Sequence, residues 1–142
     1  MLDHITYKDR TLAILLRTSY QDEGVNFLTP EDFTQQLAYI SHRQGHIIRP
    51  HMHNPVPREV LFTNEVLFIK SGKVRVDFYR DTQNYLESRI LNPGDVILLA
   101  FGGHGFEMLE ASEIIEVKQG PYVGEVDKTR FDSVSGEKVK LE

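Results

Sequence analysis

The chain contains no cysteine and no tryptophan in its 142 residues. Without cysteine there can be no disulfide, no thiolate-bound zinc, no iron–sulfur cluster and no thiol nucleophile. It also lacks an excess of positive charge, with 16 Lys and Arg against 21 Asp and Glu and a formal net charge of −5. Nucleic acid is therefore not expected as a partner, because phosphate binding draws on clustered Lys and Arg. No apolar run approaches the roughly 20 residues of a membrane-spanning helix. Met1-Leu2-Asp3-His4-Ile5 is not the basic-then-apolar opening of a signal peptide. These absences lead to the expectation of a cytoplasmic, single-domain protein in which any metal is held by histidine and carboxylate.

What is present is a series of short apolar runs separated by turn residues. Leu12–Leu16 reads as a buried strand. Thr29-Pro30-Glu31-Asp32 has the order of a helix start, with a capping hydroxyl, proline in the first turn and acids near the positive end of the dipole. It predicts one short helix, ending near Gln36. From Leu37 onward strands dominate. Leu37–Ser41 and Ile47–His53 flank a polar turn that carries His42 and His46, both read as surface. Glu65–Lys70 and Lys73–Tyr79 read as a hairpin across Ser71-Gly72. Asn92-Pro93-Gly94-Asp95 suits a type II turn between Tyr85–Leu91 and Val96–Ala100. Gly105–Leu109 and Glu113–Lys118 are two more strands. Short strands at regular spacing predict an all-β barrel or sandwich. After Gly120 the chain is more polar; Phe131 is expected to pin it to the core, and the last dozen residues to be mobile.

The chemistry centres on Arg49, His51 and His53, which alternate along one predicted strand and so share a face. Two imidazoles on one face can reach a single metal ion. Their context reads Gly45-x5-His51-x-His53-x11-Glu65-x6-Gly72, followed later by Gly94 through Gly102-Gly103-His104. The pattern resembles the two motifs of the cupin family, over roughly residues 37–118. It departs from that family in the eleven residues between His53 and Glu65, in Ala100 at the proline position, and in Met108 where an asparagine is usual.

The resemblance implies a jelly-roll-like double-stranded β-helix barrel filling residues 1–142. Residues 1–36 would supply a strand and the helix, and 119–142 an extension. It also implies metal ligation by His51, His53, Glu65 and His104, with Glu59 as a rival carboxylate. Three imidazoles and a carboxylate suit divalent Fe, Mn, Ni, Zn or Cu. Arg49 would clamp an anionic small-molecule ligand. Phe101, Phe106 and Tyr39 would line the ligand pocket. The apolar faces of Val66–Ile69 and the strand at Leu12–Leu16 point to a homodimer of the kind common in cupins.

The expected function is that of a metalloenzyme acting on an anionic small molecule or sugar, with oxygenase and isomerase chemistry both open. Two alternatives stand beside it: a non-enzymatic binding module, and a metal-free sugar-nucleotide isomerase or epimerase working through a histidine–carboxylate pair. No catalytic residue is assigned by the sequence.

Overall fold

A computed structural model describes all 142 residues, Met1–Glu142. The chain divides into two compact units, one made of residues 1–20 and 62–142, the other of residues 21–61. No helix is long and apolar enough to cross a membrane.

The larger unit contains eight strands, β1 (Leu2–Tyr7), β2 (Arg10–Leu16), β5 (Glu65–Ser71), β6 (Val74–Asp81), β7 (Asn84–Leu91), β8 (Val96–Leu99), β9 (Gly103–Met108) and β10 (Glu113–Lys118). They form a five-stranded sheet in the order β1-β2-β8-β5-β10 and a three-stranded sheet in the order β7-β6-β9. Every pairing within these sheets is antiparallel. The strands alternate as a two-residue period requires. On β5, Leu67 and Ile69 are 6% and 1% exposed, while Phe68 between them is 38% exposed. Leu67, Ile69, Ile97 and Leu99 from the larger sheet join Val74, Val76, Phe78 and Leu91 from the smaller in one core cluster. The result is a β-sandwich. On the other side of the larger sheet, Phe68 sits opposite Ile115, and both are exposed together with Val117.

Several details differ from the sequence reading. β5 and β6 are not a hairpin, because β5 pairs with β8 and β10 while β6 pairs with β7 and β9. Ser71-Gly72 is instead the corner at which the chain leaves one sheet and enters the other. Gly72 has φ +89°. A Cβ there would lie 2.2 Å from the Ser112 hydroxyl oxygen and 2.3 Å from the Ala111 carbonyl oxygen. The corner is held by the Lys73 N–H donating to Ser112 Oγ (3.0 Å) and the Leu109 N–H donating to the Lys73 carbonyl (2.9 Å).

The Asn92–Asp95 turn forms as expected, with Gly94 at φ +90° and the Asp95 N–H on the Asn92 carbonyl at 3.0 Å. Asp95, 2% exposed, then ties this turn to the end of β2. Its carboxylate accepts from the Thr18 N–H (2.9 Å), the Asn92 N–H (2.8 Å) and Arg17 Nη1 (3.0 Å).

The C-terminal residues fold back onto the edge of the smaller sheet. Ser88 at the β7 edge donates its N–H to the Lys140 carbonyl (2.7 Å) and accepts from the Glu142 N–H (3.2 Å), forming a parallel bridge with Leu141. An unpaired edge strand is a ready template for such an addition. Phe131 does pin the tail, its ring 4.9 Å from that of Tyr79.

In the smaller unit, β3 (Gly24–Phe27) and β4 (Ala38–Ser41) form a hairpin. The expected helix after Thr29 is absent. One turn forms, with the Phe33 N–H on the Pro30 carbonyl (3.1 Å), and it goes no further. The Gln36 side-chain amide donates instead to the Pro30 and Phe33 carbonyls, each at 2.9 Å, and Thr29 Oγ1 bonds the Gln36 side chain. So short a segment gains too few helical bonds to offset nucleation, and the β3–β4 register closes the loop. The strand expected over Ile47–His53 is also absent, and residues 42–61 carry no regular structure. Pro50, Pro55 and Pro57 remove ladder donors there.

Gly72→Ala should lower unfolding stability by about 2–3 kcal/mol, from the positive φ and the collision with residues 111–112; urea denaturation measures this. Asp95→Ala should cost about 2–4 kcal/mol by the same assay, because it leaves the Thr18 and Asn92 N–H groups without their acceptor and removes one of the carboxylates that pair with Arg17.

Candidate active site

β5 and β9 lie in different sheets, and both turn side chains toward the interior. Glu65 opens β5 on the face that carries Leu67 and Ile69. Across the sandwich, His104 on β9 sits opposite core Phe78 of β6 in the strand register. The two meet, with His104 Nε2 3.4 Å from Glu65 Oε2 and side-chain exposures of 30% and 14%. His104 holds the Glu65 carboxyl below its usual range by hydrogen bonding, against the opposing effect of burial. Its charge adds to this, and Lys118 and Lys128 contribute smaller attractions.

The pair opens into a cavity of about 790 Å³. Phe62, Phe101, Phe106 and Tyr79 line its apolar part, and the segment from Asp127 to Ser133 forms one wall. The Phe62 and Phe101 rings meet edge to face at 5.8 Å. Phe106 packs on the core cluster with its ring 5.6 Å from that of His104. The wall is fastened by Thr63 Oγ1 donating to Asp127 Oδ2 (3.1 Å), by Phe131 on Tyr79, and by the Val134 N–H donating to the Tyr79 hydroxyl (2.8 Å). Gly103 makes room for this latch, since a Cβ there would lie 2.8 Å from Phe131 Cζ.

The expected site residues are thus distributed between the two units. Glu65, His104, Phe101 and Phe106 are gathered at one cavity in the sandwich. His51, His53, Arg49 and Tyr39 belong to the smaller unit. There, His51 and His53 are exposed, their rings 5.3 Å apart and edge to face. His51 Nδ1 sits 2.8 Å from the Arg49 carbonyl. Met52 between them is 87% exposed. Tyr39 lies on β4, paired with Asn26. His42 and His46 are exposed and stack at 3.7 Å. Glu65 is the carboxylate that meets an imidazole, while Glu59 is exposed among residues 42–61.

The metal expectation can be tested on the donors themselves. Glu65 and His104 stand at a separation that two ligands of one divalent ion can adopt, each ligand lying about 2.0–2.2 Å from such an ion. No third His, Asp or Glu in the sandwich joins them to complete a metal-binding group. His51 and His53 form a second donor pair, in the smaller unit. In the sandwich the donor set is therefore a two-residue one, short of the four ligands expected.

Phe62, Tyr79, Lys128 and Phe131 are cavity residues that the motif reading does not reach. Only Phe131 carries a signal in the sequence, as a lone aromatic residue in a polar tail. In comparisons with protein-family models, curated proteins and solved structures, the chain matches none.

A lowered carboxyl pKa stabilises the fold above the ordinary glutamate value and stops doing so as pH falls through the lowered one. Glu65→Gln should therefore be less stable than the parent at about pH 7, and the difference should close toward about pH 3. Urea midpoints across that range measure it, and a gap that stays constant would mean the charge is not the source.

Proposed function

We propose that the chain binds a polar small molecule, a sugar or an organic acid, in the sandwich cavity and transfers a proton on it with His104 and Glu65. The observation that carries this reading is an imidazole and a carboxylate facing each other from two sheets in the wall of a cavity large enough for such a ligand. Glu65 meets Nε2, which leaves Nδ1 without a protein partner and able to exchange a proton with the ligand. The carboxylate orients the ring and stabilises the imidazolium that forms. Aromatic lining excludes water from one side of the ligand and strengthens these charge interactions. The jelly-roll-like cupin barrel is the fold-level counterpart of this reading. It rests on the motif resemblance and on the all-β sandwich.

A second reading keeps the same pair as metal donors, favoured by their 3.4 Å separation. A divalent ion held there would supply Lewis acidity or, with iron, dioxygen chemistry. Glu65 and His104 would then hold the ion, and the aromatic wall would orient the ligand beside it.

Ligands found by screening sugars and organic acids can be incubated with the protein in D2O, and loss of C–H signal followed by NMR. His104→Gln and Glu65→Gln should each slow deuterium incorporation by about 10²–10⁴-fold while the ligand still binds. Bound ligand with no exchange in the parent protein would make this a binding module. One equivalent of Mn(II), Fe(II), Ni(II) or Zn(II), bound by the parent and lost in His104→Ala, would move the site to metal chemistry.

A further inference from the structure

We infer that Arg10 is the anion-binding residue of this cavity, and that the ligand carries a carboxylate or phosphate on a ring. This rests on the reading that the sandwich cavity is the ligand site. Arg10 opens β2. Two residues on, the Leu12 carbonyl accepts the N–H groups of Ala100 (2.8 Å) and Phe101 (3.1 Å). The start of β2 and the loop that carries Phe101 are thereby joined through the backbone. The Arg10 guanidinium lies over the Phe101 ring, 3.1 Å from its centroid, and 6.0 Å from the Phe62 centroid. Both rings line the cavity.

The other arginines of the sandwich are engaged. Arg17 pairs with Asp3 and Asp95, Arg75 with Asp77 and Glu107, Arg89 with Glu87, and Arg130 with Glu125. Arg80 bonds Tyr7 and Asn84. Arg10 has ring contacts and no acceptor for its N–H groups. A guanidinium stacked on an aromatic face keeps its planar edge of donors free. That edge matches the two oxygens of a carboxylate or phosphate. Stacking also restricts the side chain before a ligand arrives, so less freedom is lost on binding. The ring of the ligand follows from the lining, where Phe62, Phe101 and Phe106 offer apolar faces and edges next to the charge. The role the sequence assigns to Arg49 thus falls, in the sandwich, to a residue outside both motifs.

The test uses the full chain labelled with ¹⁵N and three probes: phenyl phosphate, benzoate and neutral benzyl alcohol. Saturable shifts of the Gly102, Gly103 and Gly105 amides with either anion, and none with benzyl alcohol at equal concentration, are expected. Whichever anion binds more tightly identifies the headgroup. Arg10→Met should weaken that binding at least tenfold, and Arg10→Lys, which keeps the charge without the planar edge, should weaken it less. Arg80→Met, whose guanidinium lies on the Tyr7 ring and bonds Asn84, should leave it unchanged. Absence of saturable shifts with both anions, equal binding of benzyl alcohol, or unchanged affinity in Arg10→Met would each overturn the inference. Failure of the proton-transfer reading would appear differently, as anion binding that depends on Arg10 with no His104-dependent exchange.

Discussion

The molecule turns on a corner with no room for a side chain. At Gly72 the chain passes from the five-stranded sheet to the three-stranded one, against backbone and side-chain oxygens of residues 111–112. A local hairpin at this point would have placed β5 and β6 side by side. With the corner, Leu67 and Ile69 face Val74, Val76 and Phe78 across a shared core. The same geometry lets Glu65, at the far end of β5, meet His104 on β9. Core packing and the candidate active site are thus consequences of a single crossover.

The polar groups of the sandwich are arranged around that core rather than inside it. Asp95 ties the β7–β8 turn to the end of β2 through three donors. Arg75 bridges Asp77 and Glu107, and Asp77 in turn accepts from Ser88, whose hydroxyl meets Tyr85. The C-terminal chain closes over this network, since the Lys140 N–H donates to the Tyr85 hydroxyl (2.8 Å). Buried charges persist only with partners of this kind. Glu65 and His104 differ from these groups, because they pair with each other and still face a cavity. That combination of pairing, partial exposure and adjoining space marks a pair suited to chemistry.

Strand positions were readable where alternation and turn chemistry agree. Leu12–Leu16, Val96–Leu99 and Glu113–Lys118 follow from apolar runs, and the Asn92–Asp95 turn from proline and glycine at its centre. Glu65 was readable as an inward residue because Leu67 and Ile69 share its face. The Thr29 helix failed because a capping residue states where a helix would begin, and nothing in a short polar loop makes it continue. The strand through His51 and His53 does not form because alternation alone does not pair a segment, and Pro50 has no N–H for a ladder. Phe62 and Lys128 reach the cavity from distant parts of the chain, Arg10 reaches the Phe101 ring that lines it, and none of them carries a pattern that announces it.

Composition and local pattern by themselves determined an all-β chain without disulfides, in which any metal would have to be held by histidine and carboxylate. The resemblance to the cupin motifs pointed to Glu65 and His104, with Phe101 and Phe106 beside them. These are local properties, set by side-chain chemistry and a two-residue period. Which strands share a sheet, which carboxylate meets which imidazole and which arginine stacks on Phe101 were decided only by the tertiary structure. The reason is physical: strand pairing and sheet packing join residues far apart in the chain, and the free energy that selects them comes from burying the whole core at once.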